Sequence, residues 1–400
     1  MSQRRKKAIR HFRRGADTAL IALFILLPIG GIFALGGDKL GSALGRSVAV
    51  SASLAMPEAA LAACERLSSE LYPAESELAS SEHSGEAFAR ESEGEQEESV
   101  PEPEAPAEPA YDPEDVAAAE ALIPEERRGA IETTQYLANP EGEIFIRYGA
   151  GSIRNSTDYS NAEMLAAASE PIAFSVELSS AEPQVLIVHT HGTESYDRFD
   201  VGFYDSEYPS RLTDPEKNVV AVGAVLCEEL NALGINSVQA AEFHDYPSYN
   251  GSYARSEATI RSYLERFPSI KVVLDIHRDG IEREDGTRLK PTSVIEGEKT
   301  AQIMIVCGAG DGIDDVPNFR QNLAFAARLN DKAESLYGGL TRPLYLAYRH
   351  YNQDLTPGTL LVEMGSHSNT LEEAKRAAKL LAAALYETLS AEGGEAAVLN

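Results

Sequence analysis

Short apolar runs rich in β-branched residues recur along the second half of the chain, and stretches with helical spacing separate them. The run Val185–Val188 has four apolar side chains in succession, which is typical of a strand buried on both faces of a sheet covered by helices. Residues 270–276 (IKVVLDI) and 359–364 (TLLVEM) are two further runs of this kind. Strands that alternate with helices over about 220 to 250 residues predict one α/β domain.

Further elements complete this prediction. Strands are expected at 144–148, 153–156, 237–241, 301–307 and 344–348, and helices at 214–234, 249–267, 318–337 and 370–389. The last helix opens with Thr370, which Glu373 follows three residues later, and this spacing predicts a capping box. Residues 282–297 are charged and are interpreted as an excursion with a turn at Asp285-Gly286.

Polar residues cluster where the three apolar runs end. His189 and His191 follow the first run two positions apart, so that in an extended backbone their imidazoles leave the same face. Glu194 follows within reach, His277 comes directly after the second run, and Glu363 lies inside the third. Ligands of open α/β sheets bind outside the carboxyl ends of the strands. We therefore expect these side chains to converge on one site.

The residue types at this expected site suit a zinc or iron ion, and zinc binds both imidazole nitrogen and carboxylate oxygen. The candidate ligands are His189 or His191, Glu194 and His277. Zinc with three protein ligands and an open position lowers the pKa of bound water to about 7 and polarises a carbonyl group. Glu363 is costly to bury without a charged partner, and it is the candidate base that takes the proton of the water. The set predicts metal-dependent hydrolysis of an amide.

Neighbouring polar residues are candidates for supporting roles. Arg278 is expected to hold an anionic substrate group or the oxyanion. Asn352 and Gln353 lie in a polar loop that is expected to bind substrate, although such residues are also ordinary loop chemistry. Asp275 and Asp279 either orient the histidine between them as carboxylates behind a metal ligand or are plain turn residues.

Composition narrows the classes of function. The 400 residues carry a net charge of −28, which argues against nucleic acid or an anionic membrane surface as a partner of the folded part. Cys64, Cys227 and Cys307 are scattered without the spacing of a metal site or a disulfide framework. The sequence has no G-x-S-x-G elbow, and its glycine-rich loop at 308–312 lacks the Lys-Ser/Thr pair of a phosphate site. A serine hydrolase and a nucleotide-binding protein are therefore disfavoured.

The N-terminal part has a different organisation. Residues 1–18 are basic, and residues 19–37 carry no charge. As a helix the uncharged stretch would be roughly 28 Å long, which matches a bilayer core of about 30 Å, and the preceding basic cluster predicts a cytoplasmic N-terminus. A cleaved signal peptide is the alternative, but the stretch exceeds the usual apolar region of about 7 to 15 residues. Residues 38–113 are interpreted as a juxtamembrane segment and an acidic disordered spacer, and residues 114–400 as an extracytoplasmic domain with its core at 184–390.

Several longer motifs stand in a fixed order along residues 184–389. They are VLIVHTHGTESY, VVLDIHRDG, PNFRQNLAFAARL and YNQDLTPGTLLVEMGSHSNTLEEA. Together with the single N-terminal anchor, they resemble the stage II sporulation protein P family of membrane-anchored peptidoglycan hydrolases. The resemblance implies a single three-layer α/β domain with a twisted, mostly parallel or mixed sheet and helices on both faces, similar to zinc-dependent cell-wall amidases. It also implies an N-acetylmuramoyl-L-alanine amidase that cuts stem-peptide cross-links as well, during engulfment in sporulation.

The resemblance carries over to individual residues and to partners. It implies that Glu194 and one of the two preceding histidines are the first ligand pair, that His277 is the remaining ligand and that Glu363 is the catalytic glutamate. His189 is favoured over His191 because it directly continues the strand. The implied partners are peptidoglycan, the sporulation lytic transglycosylase called stage II sporulation protein D, and stage II sporulation protein M, at the septal or engulfing membrane of the mother cell. The alternatives are a catalytically silent wall-binding scaffold and a metal-dependent deacetylase of wall sugars.

Overall fold

A mixed sheet of eight strands runs through the described part of the chain, which is residues 111–310 and 315–396 of the computed structural model. In chain order the strands are β1 (Arg128–Thr134), β2 (Phe145–Tyr148), β3 (Gly151–Asn155), β4 (Val185–Val188), β5 (Phe203–Asp205), β6 (Ser237–Gln239), β7 (Val272–Asp279), β8 (Arg288–Ile295), β9 (Glu298–Ala301), β10 (Ile303–Gly308), β11 (Leu344–Ala347) and β12 (Gly358–Ser366). The α-helices are α1 (Pro113–Leu122), α2 (Asn161–Ser169), α3 (Val219–Ala232), α4 (Ser252–Arg266), α5 (Phe319–Leu336) and α6 (Leu371–Ala396).

The order of strands in the large sheet is β2-β3-β11-β10-β12-β7-β4-β6. Neighbours are parallel except for β2 with β3 and β10 with β12, which are antiparallel. The strands β12, β7 and β4 lie side by side and run in the same direction. Their carboxyl ends therefore meet at one edge, as the sequence predicted, and the predicted α/β class with a mixed sheet is confirmed.

The two faces of this sheet are covered differently. Leu274 and Ile276 of β7 and Val362 of β12 belong to the main core cluster, which includes residues of α2, α3, α5 and α6. Val273 belongs to a smaller cluster under α4 on the opposite face, and Leu361 belongs to another small cluster. Because side chains alternate along a strand, the positions that share a face with Val273 and Leu361 lie on the more thinly covered side.

A second sheet of four strands, in the order β5-β1-β8-β9, was not predicted. The interpretation of residues 282–297 as a charged excursion is wrong, because β8 occupies half of this segment. Its polar pattern is explained by Lys290, which is only 1% exposed. The ammonium group of Lys290 lies 2.5 Å from Asp200 and 3.0 Å from Glu373. A buried lysine that is neutralised by acids from distant segments leaves no apolar periodicity in the sequence.

Helix starts show which local signals were sufficient. The capping box of α6 is confirmed, since Thr370 Oγ1 accepts from the Glu373 amide and the Glu373 carboxylate accepts from the Thr370 amide. The predicted start of α3 at residue 214 is wrong. Asn218 is the N-cap, and its side chain accepts a hydrogen bond from the Val220 amide. The predicted anchor at 19–37 and residues 38–110 of the predicted spacer at 38–113 lie outside the described residues, and α1 begins at Pro113, the last residue of that spacer. Within the described ranges no helix is both long and apolar enough to cross a membrane.

The buried ion pairs of Lys290 give a stability prediction. Lys290→Ala leaves the carboxylates of Asp200 and Glu373 without their shared countercharge, so we expect the free energy of unfolding to fall by about 3 to 5 kcal/mol. Urea unfolding followed by circular dichroism measures this change. Lys375→Ala is the matched control, because its pair with the exposed Glu372 is expected to contribute less than about 1 kcal/mol. Equal effects of the two substitutions would contradict the assigned role.

Candidate functional site

His277 and Glu363 stand directly opposite each other on neighbouring parallel strands. Their Cα atoms are register partners between β7 and β12, and the register shifts immediately afterwards, between Glu363 and Ser366. The alternation of β7 and β12 places both side chains on the face with Val273 and Leu361. The predicted convergence of these two residues on one site is therefore found. Irregularities of this kind are common beside active sites, where they redirect side chains.

His277 lies between two carboxylates. Its Nδ1 atom is 3.5 Å from Glu194 Oε2, and its Nε2 atom is 3.0 Å from Asp275 Oδ1. Asp275 is fixed in turn by Thr190, whose amide and hydroxyl donate to its two oxygens at 2.8 and 2.6 Å. Asp275 therefore occupies the place of a carboxylate that orients a metal-binding histidine, one of the two roles considered for it.

The contacts of Glu194 keep it ionised. Its Oε2 atom accepts from the Arg278 amide at 3.1 Å, and its Oε1 atom accepts from Arg211 at 3.4 Å. Burial opposes ionisation, but the hydrogen bond with His277 and the charges of His277, Arg211 and Arg278 hold the pKa of Glu194 well below its usual range. Burial likewise disfavours the charged form of His277, yet Asp275 and Glu194 raise its pKa well above the ordinary value.

His191 completes this group of side chains. Its ring is perpendicular to that of His277, with centroids 5.3 Å apart. The ring stacks on Tyr249 at 4.4 Å and contacts the edge of Tyr253 at 5.5 Å. Burial lowers the pKa of His191 to about 3, so this imidazole is neutral, which is the form that binds a metal ion.

The donors fit zinc in type and partly in spacing. Two ligands at about 2.0 to 2.1 Å from a tetrahedral zinc are roughly 3.3 Å apart, which is close to the 3.5 Å between His277 Nδ1 and Glu194 Oε2. Across residues 111–310 and 315–396, no three His, Cys, Asp or Glu side chains form a ready metal-binding group. The site therefore offers a correctly spaced pair of donors with the neutral His191 ring beside it.

Glu363 has the environment of an acid–base group. Its Oε2 atom is buried and has no hydrogen-bond partner among the residues that the structure describes. Burial and the nearby charge of Asp279 raise the pKa of Glu363 to about 8, while His277 opposes this shift. A carboxyl group that exchanges its proton near neutral pH is suited to general acid–base chemistry.

The structure does not bring His189 into this group, and its preference over His191 as a ligand is not supported. Its Nδ1 atom is 3.1 Å from the carbonyl oxygen of Ile276, and its Nε2 atom is 2.9 Å from Gln239. The ring packs so closely on Gly223 of α3 that a Cβ there would lie 2.5 Å from it. The expectation that His189 and His191 leave the same face is wrong because β4 ends at Val188 and the chain then turns.

The structure assigns Arg278 a role different from the predicted one. Its guanidinium donates to the carbonyl oxygens of Ser195 and Ser210, at 2.7 Å each, and of Asp279 at 3.3 Å. The side chain is buried, so the prediction that it holds a substrate anion or an oxyanion is not supported. The guanidinium therefore links three backbone segments, and the Arg278 amide donates a hydrogen bond to the Glu194 carboxylate.

Asn352 and Gln353 also make structural contacts, which does not support the substrate-binding prediction. Gln353 is fully buried. Its side chain accepts from the Gly308 amide and donates to the Val306 carbonyl, so that it is bound to the backbone of β10 at two points. Asn352, which is 2% exposed, donates to the Tyr253 carbonyl and the Ser256 hydroxyl. These two side chains therefore anchor their loop to β10 and α4.

Sequence reasoning missed other residues around the site. Arg342, which precedes β11, is buried and donates to Asp279 at 2.9 Å. Arg211 lies over the ring of Tyr249, 4.7 Å from its centroid. Neither arginine stands near a histidine or directly follows an apolar run in the sequence, so no local signal identified them.

The contacts of Arg278 predict a loss of stability on substitution. Arg278→Met removes three hydrogen bonds from a charged donor, each of which is worth about 1.5 to 3 kcal/mol. We expect thermal or urea unfolding to report a loss of at least about 3 kcal/mol. Arg261→Met, at an exposed position paired with Glu257, is the control and should change stability by less than about 0.5 kcal/mol. Unchanged stability combined with lost hydrolysis would instead support the substrate role.

Comparisons with known proteins place the chain in a family. Stage II sporulation protein P of Bacillus subtilis (strain 168) is 31% identical over 209 residues, which are 50% of this chain and 49% of that relative. The chain thus matches about half the length of this curated relative. Among solved structures, the N-acetylmuramoyl-L-alanine amidase AmiC2 of Nostoc punctiforme is similar with a TM-score of 0.32 and 12% identity, over 53% of this chain and 97% of that one.

The CwlD amidase from Clostridioides difficile, in complex with the GerS lipoprotein, also has a TM-score of 0.32, with 11% identity over 53% of this chain and 99% of that one. TM-scores of this size establish neither a shared fold nor a shared function. The sequence match is much more extensive, because the family model described as Stage II sporulation protein P (SpoIIP) matches residues 54–386. The chain belongs to the stage II sporulation protein P family.

Proposed function

We propose that this protein is a zinc-dependent peptidoglycan hydrolase that cleaves the amide between N-acetylmuramic acid and the L-alanine of the stem peptide, and also cuts stem-peptide cross-links. The observation that carries the proposal is the placement of Glu363 opposite His277, with Glu194 3.5 Å from the same imidazole. Membership of the sporulation family supports the biological setting. An acid–base carboxyl group beside correctly spaced metal donors is the arrangement that metal-assisted amide hydrolysis requires.

The residues that would hold zinc are His191, Glu194 and His277. When bound, zinc polarises the scissile carbonyl and lowers the pKa of a water molecule to about 7. The protein contributes the orientation of these donors. Asp275 Oδ1 lies 3.0 Å from His277 Nε2, the ring nitrogen remote from Glu194, and the Arg278 amide donates to the Glu194 carboxylate.

Glu363 performs the proton transfers in this proposal. Its carboxylate accepts a proton from the attacking water and then donates a proton to the nitrogen of the departing amine. The raised pKa of Glu363, about 8, supports the second step, because the group can hold the proton until the amine leaves. Asp279 contributes to this raised pKa through its nearby charge.

We further propose that the protein is a single-pass membrane protein whose hydrolase domain acts outside the cytoplasm, at the septal or engulfing membrane of the mother cell. The uncharged residues 19–37 behind the basic residues 1–18 support this topology. Its proposed partners are stage II sporulation protein D, the lytic transglycosylase, and stage II sporulation protein M. Membership of the family supports this assignment.

Glu363→Gln tests the assigned base. We expect hydrolysis of purified peptidoglycan to slow by about 10²- to 10⁴-fold, with the zinc content unchanged, because the amide cannot accept the proton of the water. Chromatography of released stem peptides that carry a free L-alanine amino group measures the activity. Glu372→Gln, at an exposed position of α6, is the control. Full activity of Glu363→Gln would show that the base is misassigned, and released acetate without peptides would indicate the deacetylase.

Three histidine substitutions test the proposed ligands. We expect His191→Gln and His277→Gln to lose zinc, measured by mass spectrometry of the metal, because each removes an imidazole donor. His189→Gln should retain zinc, since the contacts of His189 are with Ile276 and Gln239. The reverse pattern would contradict the assignment of His191. A wild-type protein purified without chelator that contains no zinc would support the wall-binding scaffold instead.

A further inference from the structure

Arg342 lies one strand away from the proposed base. Its amide donates to the Ile303 carbonyl at 2.8 Å, which places it at the start of β10. Its Nη2 atom lies 3.1 Å from the sulfur of Met304. Met304 is the Cα partner of Glu363 between β10 and β12. The guanidinium of Arg342 therefore packs on the side chain that stands next to Glu363 in the sheet.

The guanidinium of Arg342 is held firmly on one side. Its Nη2 atom donates to Asp279 Oδ2 at 2.9 Å, and Asp279 is oriented by accepting from the Gly280 amide at 2.9 Å. The ring of Tyr136 lies 5.1 Å from its central carbon. With a side chain that is only 7% exposed, Arg342 is not placed to meet a polymeric substrate from solvent. Its burial points to a role inside the protein.

Several buried polar atoms around the site have no hydrogen-bond partner within the described ranges, Nε2 of His277 among them, and two of these atoms are a matching donor and acceptor. One is the donor Nη1 of Arg342, and the other is the acceptor Oε2 of Glu363. Buried polar groups in native proteins are almost always paired, and a guanidinium cannot lose its charge to escape the cost. An unpaired cationic donor and an unpaired carboxylate oxygen beside the same residue, Met304, are complementary to each other.

We propose that Arg342, clamped by Asp279, is a positioning residue: its Nη1, which is unpaired among the described residues, donates to the carboxylate of Glu363 in the working enzyme and orients this base toward the attacking water. This inference rests on the proposed hydrolase function. Arg342 touches neither substrate nor metal in this role. Its contribution is the orientation of Glu363, so its loss should slow the chemical step and leave substrate binding and zinc content as they were.

Substitution of Arg342 with kinetic analysis tests the inference. We expect Arg342→Met to lower kcat by about ten- to a hundredfold, the effect of losing one charge-assisted hydrogen bond, with KM and zinc content unchanged. Arg342→Lys should lie between Arg342→Met and the wild type, because lysine keeps the charge but not the planar fork. Added guanidinium ion should restore part of kcat to Arg342→Ala. Arg376→Met, which removes an arginine between α6 and β9, is the control and should keep full kcat.

The outcomes separate this inference from the function on which it rests. A wild type without hydrolase activity, or a fully active Glu363→Gln, refutes the proposed function and the inference with it. Full kcat in the Arg342 variants, alongside an inactive Glu363→Gln, overturns the inference alone. A raised KM with unchanged kcat, or a loss of zinc without rescue by guanidinium, also overturns it, because either result assigns Arg342 to substrate binding or to the metal site. If Arg342→Met fails to fold, Arg342→Lys provides the same comparison of kcat.

Discussion

The register between β7 and β12 is the constraint on which the whole site depends. It places His277 directly opposite Glu363, on the face of the sheet where α4 and two small apolar clusters lie. A slip of one residue would exchange the faces of every side chain on β12. Glu363 would then enter the main core, and Val362 would take its place at the site. The apolar core against α2, α3, α5 and α6 disfavours such a register, because Glu363 would be buried in it. The core therefore keeps Glu363 opposite His277.

Electrostatic compensation is the second requirement. Glu194 and Asp275 are buried beside the His277 imidazole, and Asp279 is buried at the end of the same strand. Buried charges are costly unless they are paired. Each acid accepts hydrogen bonds from different partners. Glu194 accepts from Arg211 and from the Arg278 amide, Asp275 accepts from Thr190, and Asp279 accepts from Arg342. Oε2 of Glu363 has no hydrogen-bond partner in the described part of the chain, which leaves this oxygen available to the guanidinium of Arg342 as proposed above. Burial and the charge of Asp279 raise the pKa of Glu363, and the charge of Arg342 opposes this shift.

Local patterns in the sequence were enough to predict the strands β4, β7 and β12, the capping box at Thr370 and the meeting of His277 with Glu363. They could not predict which way a side chain turns after a strand ends, and His189 was misplaced for this reason. They also could not identify partners distant in the chain. Arg278 binds carbonyl groups 68 and 83 residues away, and Lys290 is neutralised by acids from two other segments. The residue type indicates which groups a side chain can bind, but the fold determines which of these groups lie within its reach.

The central claim is that His191, Glu194 and His277 gather one zinc ion beside Glu363. Diffraction from crystals of the zinc-loaded protein, collected on both sides of the zinc absorption edge, tests it most directly. The account predicts one anomalous peak at about 2.0 to 2.2 Å from an imidazole nitrogen of His191, an oxygen of Glu194 and Nδ1 of His277, with the Glu363 carboxylate facing the open position. A peak bound by His189, or no peak within reach of His277, would contradict the account.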